Sequence, residues 1–285
     1  MKKIVTLSNG SRVSYWTYHP DAPVTMVLVH GFTGSHEGFR YIIPLLPNIK
    51  FIVPDVPGFG ASEIDREDWS IDAIANRVNE FVACLKLPKP PYLLGHSMGG
   101  LVASSMLYQA PQLYDERVVL LSPVPTKITK NDSRRIGAIA GALQYHAGHR
   151  LPKVGHKIVK SKRLSAIATK LMLTTSDKEL KKKIYEHHYA NLDVINYVSD
   201  IEFYSKIHHD INRRGSIDYA SAFKDKQLLL ITGNRDKVTP LNYMQRFADA
   251  VKPSKFAIID GVGHLAHYER AQEVANELKE FIPLP

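Results

Sequence analysis

Six short stretches of this 285-residue chain are almost wholly apolar and rich in β-branched residues: 24–29, 51–53, 92–94, 118–121, 228–231 and 256–259. Runs of this kind suit strands covered on both faces, since a strand with one wet face alternates apolar and polar side chains. Between several of them, at 71–85, 98–109, 244–251 and 274–281, apolar residues recur at helical spacing. Strands alternating with helices predict an α/β fold with a doubly wound, mostly parallel sheet. Residues 3–7 and 11–18, separated by Asn9-Gly10, predict a hairpin that gives the sheet an antiparallel start.

The alternation stops between about residues 124 and 222, where long helical patterns run without a convincing strand. The expected organisation is therefore a core of residues 1–123 and 224–285 with a helical cap, 124–223, inserted into it. Hydrophobic residues at 44% and charged residues at 23% match ordinary globular usage and exclude a disordered chain. The charge is unevenly placed. Residues 124–222 hold 18 Lys and Arg against 9 Asp and Glu, and the remainder carries 19 of each sign, so the whole formal excess of +9 sits in the cap. Cys84, the single cysteine, excludes an internal disulfide framework and a Cys-rich zinc site. The helical pattern around it assigns it a packing role. The two lysines at the start are followed by too few apolar residues for a signal peptide, and no run nears the roughly 18 residues of a membrane span, so a cytoplasmic location is expected.

The run at 92–94 feeds Gly95-His96-Ser97-Met98-Gly99, a G-x-S-x-G turn followed by a helical stretch. A serine hydroxyl is a weak nucleophile unless it is held exposed beside a base and beside donors for the developing oxyanion. A strand-to-helix elbow meets those needs, because the glycines make room for the turn and the Met98 N–H lies at the start of a helix. Two further candidates stand in loops that follow predicted strands: Asp236 after 228–231, and His264 after 256–259. In an open α/β sheet such loops share one edge. Asp236 in a simple Asx turn, and His267 in place of His264, are the alternatives at those positions.

The order Ser97, Asp236, His264, together with His30-Gly31-Phe32, the segment Asp55 to Ser62 and Gly263-His264, resembles the α/β-hydrolases over residues 1–122 and 225–285. The resemblance implies the α/β-hydrolase fold, with Ser97 as nucleophile, His264 as general base and acid, and Asp236 as the orienting carboxylate. Phe32 and Met98 would give backbone N–H groups to the oxyanion. His30, His96 and Asp55 would support the loops. The implied activity is hydrolysis of carboxylic esters through an acyl-enzyme, on a small-molecule ester, with no cofactor and no metal. Carbon–carbon bond hydrolysis of the meta-cleavage type, thioesterase and lactonase activities use the same residues. A ligand receptor whose cap moves is the alternative of another class.

The interleaved basic and apolar residues from Lys153 to Lys170, with Lys181-Lys182-Lys183, leave four readings for the cap. These are a solvated surface, attraction of acidic substrates, peripheral contact with an anionic surface, and weak nucleic-acid binding. No nucleic-acid motif accompanies the charge, so no nucleic-acid partner is expected. Ile136, Leu143, Leu164, Leu171 and Met172 could line an acyl pocket or pack on the sheet, and packing is expected for most of them. The pairs His187-His188 and His208-His209 point successive side chains around a helix, which predicts solvated positions and not metal ligands. Nothing in the sequence sets an oligomeric state.

Overall fold

A computed structural model describes residues 2–64, 68–150, 157–194 and 197–283. Eight strands, β1 (Lys2–Thr6), β2 (Arg12–Tyr18), β3 (Val24–Val29), β4 (Ile49–Pro54), β5 (Tyr92–His96), β6 (Arg117–Leu121), β7 (Gln227–Gly233) and β8 (Lys255–Ile259), form one sheet in the order β1-β2-β4-β3-β5-β6-β7-β8. The β1–β2 hairpin is antiparallel, β2 meets β4 antiparallel, and every later pairing is parallel. All the strands and crossover helices expected from the apolar runs are present.

Successive strand residues face opposite sides, and both sides are dry. Val27, Val29, Leu93, Leu120 and Leu230 enter one core with helices α1 (Ile71–Cys84), α2 (Met98–Gln109) and, between β7 and β8, Leu241–Val251. Met26, Leu28, Leu94, Val119 and Ile231 enter the other, with Phe39, Leu46 and the C-terminal helix Ala271–Phe281. The continuous apolar runs are thus explained by helices on both faces. Connections run from β3 outward to β4 and then back across to β5, so the loops after β3 and β5 leave the sheet at its topological switch point.

Between β6 and β7 the chain leaves the sheet and forms helices α3 (Arg135–Arg150), α4 (Lys162–Met172), α5 (Lys178–Val194) and α6 (Tyr197–Arg213). The outgoing and returning segments lie side by side: Ser216 N–H donates to Val124 O at 2.8 Å and Ile217 N–H to Pro125 O at 3.1 Å. Gly215 is required there, because a Cβ would fall 2.3 Å from Thr126 Cα. Arg134 pins the outgoing segment through Asp132 (2.6 Å), Thr126 O (3.1 Å) and the face of Tyr243 (4.1 Å to the ring centroid). From α6, Phe203, Tyr204 and Ile207 join the core around the β5–α2 turn. The helices α7 (Leu241–Val251), α8 (Ala266–Glu269) and α9 (Ala271–Phe281) complete the order.

Several expectations for individual residues fail. Cys84 is exposed, because it closes α1 on the side turned from the sheet. Leu143, Leu164 and Leu171 are exposed rather than packed. Met172 does pack, beside Leu265 and Tyr268. The Ile136 side chain and Lys153 lie outside the described residues. His187 is buried against Tyr268, not solvated, since α5 turns that face to the loop carrying His264, whereas His209 is exposed as expected.

Three histidines, His96, His187 and His267, are at most 6% exposed. Burial, first, and neighbouring positive charge, second, push His96 and His187 from 6.5 down to about 3, and lower His267 strongly. The unfolded chain therefore takes up protons below pH 6.5 that the native protein refuses, and native stability falls as pH drops from that point to about pH 3. The slope has an upper bound of about 4 kcal/mol per pH unit for three protons. Urea unfolding at pH 7.5, 6 and 5 is expected to show a falling midpoint, and a constant midpoint contradicts this account.

Candidate active site

Ser97 stands between the last residue of β5 and the first of α2 with φ 56° and ψ −121°, a backbone conformation that L-residues rarely adopt. The surroundings enforce it. A Cβ on Gly99 would fall 2.1 Å from Val29 O, one on Gly95 would fall 2.4 Å from Gly99 O, and one on Gly100 would meet Pro123 Cβ at 2.5 Å. Helix α2 can start this close to β3 and β5 only with hydrogen atoms at these positions. The Ser97 N–H donates to Leu121 O (3.1 Å), and Ser97 O accepts from Gly100 N–H (2.9 Å), so the turn is tied to both β6 and α2.

The loop after β7 folds around the Asp236 carboxylate. Oδ1 accepts the N–H groups of Val238 (2.7 Å) and Thr239 (2.8 Å), and Oδ2 accepts the Thr239 hydroxyl (2.7 Å). Burial alone would push this carboxyl up, but the facing His264 imidazole and the Thr239 donors outweigh it and hold it at about 2. His264, in the loop after β8, sets Nδ1 2.8 Å from Asp236 Oδ2 and Nε2 2.9 Å from Ser97 Oγ. A carboxylate accepts only, so Nδ1 carries the proton and Nε2 is left as the acceptor for the Ser97 hydroxyl. The three sequence-predicted residues therefore meet in one chain of hydrogen bonds, and His267 does not share it. His267 is buried behind His96, with ring centroids 4.2 Å apart.

Gly31 passes directly over the Ser97 turn, where a Cβ would lie 3.2 Å from Ser97 Cβ, and Phe32 follows it. Met98 is the first residue of α2, a position whose N–H has no acceptor within its own helix. The flanking residues act on the loops. His30 Nε2 accepts the Val56 N–H (2.9 Å) while Nδ1 donates to Gly31 O (2.9 Å). His96 Nε2 donates to His264 O (3.3 Å). Asp55 collects the His36 N–H (2.6 Å), His36 Nδ1 (3.0 Å) and the Ala61 N–H (2.7 Å).

The helices between β6 and β7 close over this edge in two places. Phe32 packs against Phe59 and against Tyr145 of α3 and Tyr204 of α6, with centroids 5.3 to 6.0 Å apart. On the other side the strap after α4 is bonded to the histidine loop: Met172 O accepts the His264 N–H (3.1 Å), and Thr174 Oγ1 accepts the Gly263 N–H (3.2 Å). Glu269 accepts the Thr174 N–H (2.9 Å), the Thr174 hydroxyl (3.0 Å) and the Thr175 N–H. A surface cleft of about 630 Å³ lined by Leu173, Thr174, Arg235, Asp236 and Leu241 reaches the back of the acid loop. The Asp236 side chain is fully buried and turned to His264, so that cleft is separate from the Ser97 hydroxyl.

Sequence reasoning missed Thr239, Tyr145, Tyr204 and Glu269. The first had a local signal, a threonine three residues after a loop aspartate. Tyr145 and Tyr204 meet the site across tens of residues, and Glu269 acts through Thr174, 95 residues away, so these had none. Among the described residues, no group of three or more His, Cys, Asp or Glu side chains is arranged to hold a metal ion, and no helix is long and apolar enough to cross a membrane.

Comparisons with known proteins agree with this architecture. A family model described as alpha/beta hydrolase fold matches residues 24–271. The hydrolase YugF of Bacillus subtilis is 27% identical over 278 residues, covering 96% of this chain and 95% of that protein. The monoacylglycerol lipase ABHD6 of Bos taurus is 25% identical over 278 residues, covering 92% and 76%. Among solved structures, a bromoperoxidase from Bacillus anthracis superposes with a TM-score of 0.81 at 20% identity, covering 99% of each chain. An esterase from Exiguobacterium antarcticum does so with a TM-score of 0.76 at 16% identity, again over 99% of each. The structural likenesses at these identities speak for the fold, and the family match spans most of the chain. The chain belongs to the alpha/beta hydrolase fold family.

Proposed function

We propose that this protein is a serine hydrolase of small carboxylic esters. The observation that carries the reading is the continuous contact from Ser97 Oγ to His264 Nε2 at 2.9 Å and from His264 Nδ1 to Asp236 Oδ2 at 2.8 Å. Ser97 attacks the ester carbonyl as His264 takes its proton, and Asp236 stabilises the imidazolium and holds the ring in the required tautomer. The backbone N–H groups of Phe32 and Met98 receive the oxyanion. His264 then gives the proton to the departing alcohol, and water, activated by the same ring, releases the acid from the acyl-enzyme. The reaction requires no cofactor. Residues 124–223 act as a lid over the acyl group, with Tyr145 and Tyr204 limiting its size through their contact with Phe32. The similarity to monoacylglycerol lipases supports an ester as the scissile group.

Turnover of p-nitrophenyl esters from two-carbon to long acyl chains tests the reading directly. Ser97→Ala is expected to lower kcat by about three orders of magnitude or more and to abolish labelling by a fluorophosphonate. A folded native protein that neither labels nor hydrolyses any ester overturns it. Asp236→Asn leaves Thr239 a hydrogen-bonding partner but no longer anchors the Nδ1–H tautomer. It is expected to lower kcat by roughly two to four orders of magnitude with little change in KM, as steady-state kinetics would report. An unchanged kcat removes Asp236 from the mechanism.

A further inference from the structure

Five of the nine large apolar side chains most exposed among the described residues are on two cap helices: Ile139 (47%) and Leu143 (66%) on α3, and Leu164 (38%), Ile167 (59%) and Leu171 (51%) on α4. On α4 these residues follow one another at spacings of three and four, so they form one stripe along the helix. The opposite side is the one that packs: Thr169 is buried, and its hydroxyl meets His188 Nδ1 at 2.7 Å. Helix α4 is therefore docked by a modest face while presenting its larger aliphatic residues to the outside.

The charge beside that stripe has one sign. Residues 162–172 include Lys162, Arg163 and Lys170 and no acidic residue. Arg163 and Lys170 flank the stripe, while Lys162, on the docked side, reaches over the Tyr189 ring of α5, 5.6 Å from its centroid. A cationic rim around leucine and isoleucine narrows the choice of occupant. A second copy of the chain would bring the same positive cap against itself. A nucleic acid would satisfy the lysines, but the aliphatic stripe offers its bases neither aromatic stacking nor hydrogen bonds. A lipid surface with anionic headgroups satisfies both features, because aliphatic side chains enter the acyl boundary while lysine and arginine remain at headgroup level.

We propose that α4 is a peripheral docking surface for anionic phospholipid membranes, with Leu164, Ile167 and Leu171 inserted and Arg163 and Lys170 at the headgroups. This contact does not depend on the proposed ester hydrolysis. It does bear on where the protein would work, since the residue that ends α4, Met172, accepts the N–H of His264. A docked α4 places the catalytic edge within one strap of the lipid surface.

The test is co-sedimentation of the full chain with vesicles of phosphatidylcholine alone or mixed with phosphatidylglycerol. The native protein is expected to bind the mixed vesicles, to bind the neutral ones weakly, and to be released as salt rises. The triple variant Leu164→Gln, Ile167→Gln, Leu171→Gln changes only exposed positions, and its urea midpoint should match that of the native protein. Its binding is expected to fall by about tenfold or more. Ile167→Trp supplies a local reporter, since the two native tryptophans, Trp16 and Trp69, lie outside the cap. Its emission should shift to the blue on the mixed vesicles. Absence of native binding overturns the proposal. So does full binding by the triple variant, which would reduce the contact to charge alone, or an unshifted Ile167→Trp spectrum.

Discussion

Val29 and His30 send their carbonyl oxygens to within 2.1 and 2.6 Å of the place a Cβ on Gly99 would occupy. That approach of a helix to the end of a neighbouring strand is the constraint around which the site is arranged. It forces β5 to end at His96, turns Ser97 into a left-handed conformation, and starts α2 at Met98 with its first N–H unclaimed by the helix. The parallel register of β3, β5, β6 and β7 then delivers the following loops to the same edge. Strain at one residue persists because hydrogen bonds from Ser97 to β6 and α2 over-determine it. A larger residue at position 99 would displace the helix, and with it the serine.

Much of this was legible in the sequence for physical reasons that can be named. Strands buried on both faces must be continuously apolar, so the runs at 24–29, 92–94, 118–121 and 228–231 announced both the parallel sheet and its two helical layers. A turn that admits only glycine at 95 and 99 announces itself by those glycines. The carboxylate and imidazole followed, because a loop after a strand has its position fixed by that strand.

The cap was less legible, and α4 shows why. Helical periodicity marks a stripe of aliphatic residues but does not say whether protein or something else covers it. Leu164 and Leu171 carry the pattern of core residues, yet the side that docks is the one bearing Thr169. His187 misleads in the opposite direction. A polar residue within a basic helix suggests water, while its burial is decided by Tyr268, 81 residues later. Cys84 lies on an amphipathic helix, but on the side turned from the sheet, between buried Val82 and half-buried Leu85. For α4 and His187 the deciding neighbour is distant in sequence, and no local pattern encodes it.

Glu269 holds the strap after α4 by three donors, and the same strap holds the His264 main chain through Met172 O and the Gly263 N–H through Thr174. Cap and imidazole loop are consequently fastened to one another, in addition to the His96 contact that ties His264 O to the end of β5. Lifting the strap would leave the Glu269 carboxylate without its donors and take the Met172 acceptor from the His264 N–H. The aromatic seam from Phe32 to Tyr145 and Tyr204, by contrast, meets the site through ring packing. The cap is thus held by directional hydrogen bonds on one flank and by ring packing on the other, so parting the first costs polar partners and parting the second costs apolar contact.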